Sequence, residues 1–220
     1  SFDGVDDYID LGNESQFNFA TGDFSLSAWF QMSTTQDGRI LSKTNHENDD
    51  GYQLGISAAI PRFYLLDSEP VASSDVSVND NIWHHLLGIR YDDQLQLYVD
   101  GLLKNTVNGV TGYNVSSPNT LKIGKRDGVQ EIPFLGNIDE IYIFNRALSS
   151  YEIIDLFCKG GWCVSGCTDP AADNYSPDAN WDDGSCYGYP DNGDYSLSFD
   201  GVDDYVDLGN SASLTSPVIP

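Results

Sequence analysis

Residues 1–13 read SFDGVDDYIDLGN, and residues 198–210 read SFDGVDDYVDLGN. Twelve of the thirteen positions agree, Ile9 against Val206 being the exception, at an offset of 197 residues. A match of this length is not chance, and it bounds the folding unit, which must be complete before the pattern begins again. The chain reads as one full repeat and the first strand of the next, a piece of a tandem array. Its module boundaries are expected at residues 1–157, 158–192 and 193–220.

Inside the first unit the hydrophobic period is two. Phe24, Leu26, Ala28, Phe30 and Met32 alternate with Ser25, Ser27, Trp29 and Gln31, so one face of this segment belongs in a core. Short runs of the same character follow at residues 39–43, 52–56, 62–66, 83–91, 121–125 and 137–144. Residues 95–99 and 102–107 flank Asp100-Gly101, the strongest two-residue hairpin signal. Many short strands separated by Gly, Asp and Asn predict an all-β, antiparallel two-sheet sandwich. One short helix is expected near its end, where Ser149 can cap and Glu152, three residues on, can reach back to the cap amide. Leu148, Tyr151, Ile154 and Phe157 recur at helical spacing and are expected to lie on the sheet edge.

The formal net charge is -24, from 34 acidic and 10 basic residues. That balance repels nucleic acid and anionic lipid, and it suits surroundings rich in salt and divalent cations. No Lys or Arg follows Lys159, while eleven Asp lie from Asp169 to Asp207, so the acidity is concentrated in the tail. No apolar run is long enough to cross a bilayer, and no membrane insertion is expected. Four Cys, at 158, 163, 167 and 186, fall within 29 residues. Such a cluster reads as the disulfide framework of a secreted segment. Three connectivities are open, and Cys158–Cys163 with Cys167–Cys186 is favoured. Zinc fits less well, because the Cys-x4-Cys-x3-Cys spacing lacks a two-residue knuckle and no His is near. Residues 158–197 contain almost no aliphatic side chains beyond Val164 and Leu197, so disulfides, metal or both must order this loop-rich segment. Asp178, Asn180, Asp182 and Asp183 precede Gly184 at spacings that let oxygen ligands converge on calcium. The Gly stands at the seventh position of this loop and Tyr189 at the twelfth, which departs from the helix-loop-helix calcium signature.

The segments SFDGVDDYIDLGN, FSLSAWFQM, RILSK, GYQLGI, WHHLLGIRYDDQLQLYVDG, LKIGK and LGNIDEIYIFNRALSSYEI occur in this order over residues 1–157. That series resembles the laminin-G-like, pentraxin-like branch of the concanavalin A-type jelly rolls. The resemblance implies a jelly-roll sandwich whose first and last strands pair, bringing Asp3 and Asp139 to one sheet edge where such folds clamp a structural calcium. The plainer reading of Asp3 is a cap for the turn at Gly4. Two further calcium ligands of the pentraxin pattern fall on Asp37 and Asp127. There the expected Asn is Gly38 and the expected Glu-Gln pair is Lys125-Arg126, a basic pair that opposes a second cation. The glucanases of this class carry Glu-x-Asp-x-x-Glu along one strand face. Asp139 and Glu140 are adjacent, and on a regular strand they point to opposite faces, so no catalytic residues and no enzyme activity are expected. His84 and His85 read as hydrogen-bonded core or edge residues. Tyr52, Tyr64, Tyr113, Tyr187 and Tyr189 are the candidates for exposed rings on which a sugar could stack.

Residues 166–186, GCTDPAADNYSPDANWDDGSC, resemble a short Cys-bounded acidic repeat of large secreted bacterial surface proteins. Such proteins carry these modules in arrays, often for adhesion. The resemblance implies a non-catalytic module of a secreted cell-surface adhesin that binds glycan or a surface protein, with calcium stiffening its joints. The alternative is a spacer or filament-forming repeat whose partners are neighbouring repeats. Phe199, Val202, Tyr205, Val206 and Leu208 would give the second copy an apolar strand face that needs cover, expected from another module.

Overall fold

The computed structural model describes residues 1–188 except 45, 46, 48, 49, 67, 68, 129, 130, 180 and 183. The expected inter-module strand residues Phe199, Val202, Tyr205, Val206 and Leu208 therefore lie outside the described residues, as do Asn180, Asp183 and Tyr189. Two compact units follow one another, Ser1–Val164 and Ser165–Pro220.

The first unit is the expected antiparallel sandwich. Its strands are β1 (Phe2–Asp3), β2 (Ile9–Asp10), β3 (Phe24–Gln31), β4 (Gly38–Ser42), β5 (Tyr52–Ser57), β6 (Ile60–Leu65), β7 (Val71–Ser73), β8 (Trp83–Tyr91), β9 (Gln94–Val99), β10 (Leu102–Asn108), β11 (Lys122–Ile123) and β12 (Leu135–Phe144). Among the described residues one six-stranded sheet runs β1-β12-β3-β8-β9-β10 and the other β2-β11-β4-β5-β6-β7. The residues of period two meet between them. Phe24, Leu26, Ala28 and Phe30 of β3 join Tyr52, Leu54 and Ile56 of β5, Phe63 of β6 and Leu95, Leu97 and Val99 of β9 in one buried cluster. Each such aliphatic or aromatic side chain contributes about 1.5–3 kcal/mol when fully withdrawn from water. Residues 1–13 serve both sheets, since β1 closes one along β12 and β2 closes the other along β11.

Two hairpins adopt the left-handed turn that suits strand twist. Asp100 (φ 53°) and Gly101 (φ 75°) join β9 to β10, as the sequence predicts. Between β5 and β6 the same place is held by Ala58 (φ 51°) and Ala59 (φ 66°), which lack glycine's freedom. Asp37 pins that turn: its carboxylate accepts the Ala58 amide at 2.8 Å and the Ser57 hydroxyl at 3.1 Å.

The helix α1 (Ser150–Phe157) has the expected capping box, with the Ser149 amide donating to Glu152 Oε2 at 2.9 Å. Arg146 grips the same carboxylate. Its placement differs from expectation in two respects. The helix covers the outer face of the first sheet rather than an edge, because Leu87 and Ile89 of β8 point outward and need burial. The inward stripe is Leu148, Ile153 and Leu156, while Tyr151 is 86% exposed. Positions 153 and 156, rather than 151 and 154, face the sheet.

β12 carries the feature that shapes the site. Asp139 stands opposite Trp29 and Tyr142 opposite Ser27, so Glu140 and Ile141 face the single residue Ala28. This is a β-bulge, and Glu140 takes the left-handed conformation (φ 46°). Ile138, Ile141 and Ile143 consequently all turn to the core, whereas Tyr142 and Phe144 face the helix.

The second unit is loop-rich. Ser165–Gly166 (β13) and Trp181–Asp182 (β14) form a short parallel pair, and Cys167–Cys186 ties the segment. Cys158–Cys163 closes the turn after α1 in the first unit, so the favoured connectivity is the one present.

Candidate functional site

The bulge corrects the expectation that Asp139 and Glu140 face opposite ways. With Ile138 and Ile141 both inward, the two residues between them lie on the outer face. They line one open depression of about 250 Å³ together with Trp29, Trp83 and Gly160. Trp29 lies on the outer face because it alternates with the core residues Ala28 and Phe30, and Trp83 is its diagonal neighbour across the β3–β8 pair. The Trp29 indole is 4% exposed, stacked on Phe157 at 5.7 Å between centroids with 10° between planes. The turn after α1 crosses directly over it. A Cβ on Gly160 would lie 2.3 Å from Trp29 Cζ2, so only glycine permits that approach. The Tyr142 hydroxyl donates to Glu140 Oε2 at 2.6 Å, and Asp139 Oδ1 accepts the Glu140 amide at 2.9 Å. Both carboxylates keep a second oxygen for a ligand. The arrangement is the partly exposed Trp83 beside a buried Trp29, flanked by hydrogen-bond acceptors on the sheet.

The histidines behind it are structural, as read from the sequence. His85 Nε2 meets Ser27 Oγ at 2.8 Å, its Nδ1 has no hydrogen-bond partner, and burial pushes the imidazole down to about 4. His84 bridges Asp100 at 2.8 Å and Asp80 at 3.1 Å; burial opposes its charge, but the two carboxylates outweigh burial and raise it.

The other predicted site residues are placed as follows. The first and last strands pair, but the register sets Asp3 opposite Leu135, and Asp139 lies four residues further along β12. At about 3.3 Å per residue the two carboxylates are on the order of 13 Å apart along the strand. Asp3 instead caps its own turn, accepting the Val5 amide at 2.8 Å and the Asp6 amide at 3.3 Å. Those amides, Val5 foremost, hold its carboxyl below the ordinary range. Its neighbours are Asp6 and Asp7, each offering an oxygen such that the three atoms lie within 4.8 Å of one another. An all-carboxylate donor set suits a hard cation such as calcium and does not suit zinc. Asp37 is engaged by the β5–β6 turn and Asp127 by the Lys122 ammonium. In the second unit Asp178 is exposed, and Asp182 Oδ1 accepts the Gly184 amide at 3.0 Å. Tyr52 and Tyr64 are buried, which removes them as sugar platforms; Tyr113 and Tyr187 are exposed.

Residues 3–154 match the model of the Concanavalin A-like lectin/glucanases superfamily, Laminin_G_3. The chain belongs to that superfamily. No curated protein matches this superfamily member by sequence. Among solved structures it is similar to the receptor binding domain of botulinum neurotoxin D, at 18% identity and TM-score 0.56, over 75% of this chain and 45% of that one. It is also similar to the binding domain of botulinum neurotoxin DC in complex with SialylT, at 20% identity and TM-score 0.52, over 69% and 39%. The same domain in complex with rat synaptotagmin II aligns at 20% identity and TM-score 0.50, again over 69% and 39%. This chain therefore spans less than half of each, and likeness at this identity concerns the fold.

Proposed function

We propose that the first unit is a non-catalytic glycan-binding module of a secreted, surface-attached adhesin. The observation that carries this reading is the β12 bulge, which sets Asp139 and Glu140 on one face beside Trp29 and Trp83. A sugar ring stacks its apolar face on an indole while its hydroxyls donate to carboxylates, and this depression offers both in one place. The lectin-type fold and the binding domains it resembles, one in complex with SialylT and one with a protein, support a recognition role. The strand reads Asn137-Ile-Asp-Glu-Ile-Tyr-Ile, without the Glu-x-Asp-x-x-Glu spacing of hydrolysis, and Glu140 is held by Tyr142. Two disulfides agree with an extracellular setting. Asp3, Asp6 and Asp7 would hold a calcium ion, whose charge would neutralise the acidic turn entering β1 and stiffen it.

A glycan array read with and without calcium tests this function. Saturable binding that falls at least tenfold in both Trp83→Ala and Glu140→Gln is the expected result. Binding that both variants retain, or an array on which the folded chain finds no glycan, would remove the depression as a lectin site.

A further inference from the structure

The seat of residues 1–13 is built from side-chain contacts, and the second copy of that segment reproduces the side chains that make them. Phe2 enters the core edge-on to Phe134 at 6.5 Å, in space that exists because residue 124 is glycine: a Cβ there would lie 2.3 Å from the Phe2 ring. Tyr8 lies against two ammonium groups, Lys122 at 4.6 Å and Lys125 at 4.5 Å. Asp10 accepts the Thr120 hydroxyl at 3.2 Å. Backbone bonds join Leu11 and Gly12 to Leu121 at 2.8 and 2.9 Å. The fully buried Lys43 donates to Asn13 Oδ1 at 2.6 Å, so an occupant must present an acceptor oxygen at that point.

In residues 198–210 the corresponding side chains are Phe199, Tyr205, Asp207, Leu208 and Asn210. The single difference, Val206 for Ile9, falls where the seated side chain is 50% exposed and one methylene is of little consequence. Residues 198–210 thus carry the side chain that each of these contacts uses, and depart from residues 1–13 only where the seated residue is half-exposed. We propose that residues 198–210 of one copy of this chain occupy, in a second copy, the seat that residues 1–13 hold here, joining copies head to tail through both sheets. The receiving copy's own residues 1–13 compete for the place, so exchange rises with concentration and with any weakening of that segment.

The register supplies the test. Asp3 stands opposite Leu135, so a seated residue 200 stands opposite residue 135. The full chain carrying Asp200→Cys with Leu135→Cys, mildly oxidised, is expected to give a ladder of covalent multimers on a non-reducing gel. The ladder should grow several-fold when Phe2→Ala loosens the resident segment, and should disappear with Phe199→Asp or with excess free peptide SFDGVDDYVDLGN. Should Phe2→Ala fail to fold, the ladder is read with Phe2 intact at high protein concentration. A bond formed only within one chain, a ladder indifferent to Phe199→Asp or to the peptide, or no ladder in either background overturns the proposal.

Discussion

Deleting Glu140 separates what β12 needs for folding from what its bulge does for binding. Two residues now face Ala28, and one of them, Glu140, is a non-glycine residue in the left-handed region. Without it the strand reads Asn-Ile-Asp-Ile-Tyr-Ile-Phe and alternates without interruption. Ile138, Ile141 and Ile143 remain on the core side, while Tyr142 and Phe144 stay against the helix. Relief of the left-handed residue is worth about 1–2 kcal/mol. A restored ladder hydrogen bond adds about 0.5–1.5 kcal/mol. The Tyr142 hydroxyl loses its Glu140 acceptor, but at an exposed position where water replaces it. The net expectation is a gain of roughly 1.5–3.5 kcal/mol, or a melting temperature higher by roughly 3–14 °C for a unit of this size. Glycan affinity should fall at least tenfold in the same protein, since one acceptor is gone and Asp139 sits on a flattened strand. Thermal unfolding and glycan titration of the full chain read the two effects separately. A melting temperature lowered by several degrees would show that the packing requires the bulge. A raised one with undiminished binding would show that the carboxylate pair touches no ligand.

Three further outcomes are expected. Ala59→Gly, at φ 66° in the β5–β6 turn, should stabilise by about 1 kcal/mol and raise the melting temperature by roughly 2–4 °C; a loss would mean that the alanine methyl makes a contact worth more than its strain. His85 is held neutral with its folded value near 4, against about 6.5 when unfolded, so between those values the unfolded chain binds the extra proton. Stability should therefore fall by about 3 kcal/mol as pH drops from 6.5 to 4, and urea midpoints of His85→Gln should depend less steeply on pH across that window. His84, raised by its carboxylates, acts with the opposite sign: its contribution is complete below about 6.5 and lost as pH rises through its folded value. Calcium at a hundred times its dissociation constant should stabilise by about 2.7 kcal/mol, reversed by chelator and absent from Asp6→Asn/Asp7→Asn; a melt indifferent to chelator would dismiss Asp3, Asp6 and Asp7 as a calcium site.

Much of the architecture was legible because it is local. The alternation along 24–32, the Asp100-Gly101 turn, the Ser149-Glu152 cap and the clustered cysteines each report on neighbours no more than 19 residues away. What the sequence concealed depends on partners far along the chain. Tyr52 and Tyr64 resemble loop-edge aromatics until β4 and β6 bracket the first and β5 and β7 the second; the Tyr64 ring then lies under the Arg39 guanidinium at 5.1 Å. Asp139 and Glu140 look like an ordinary adjacent pair, because a bulge is defined by the strand opposite and β3 lies more than a hundred residues earlier. One signal of the bulge does lie in the sequence. Ile138, Ile141 and Ile143 break the period of two by a single residue, and that interruption marks the bulge. Trp29 likewise declares itself in the alternation, as the one large apolar residue on the face shared with Ser25 and Ser27.

The depression also follows from how the outer face is covered. Leu87 and Ile89 oblige the chain to lay a helix across the first sheet, and Leu148, Ile153 and Leu156 supply that cover. A helix of eight residues is too short to cover the whole strand length, since at about 1.5 Å per residue it spans only about 12 Å while β8 runs for nine residues at about 3.3 Å each. Cover therefore stops near Trp29, where Phe157 stacks and the backbone turns away over Gly160. The sheet beyond that turn is left with the partly exposed Trp83 beside the covered Trp29 indole, and a bulged strand whose two acids rim the gap. An aromatic floor at the end of a helical roof needs polar neighbours to stay soluble, and the bulge supplies two where a regular strand would supply one.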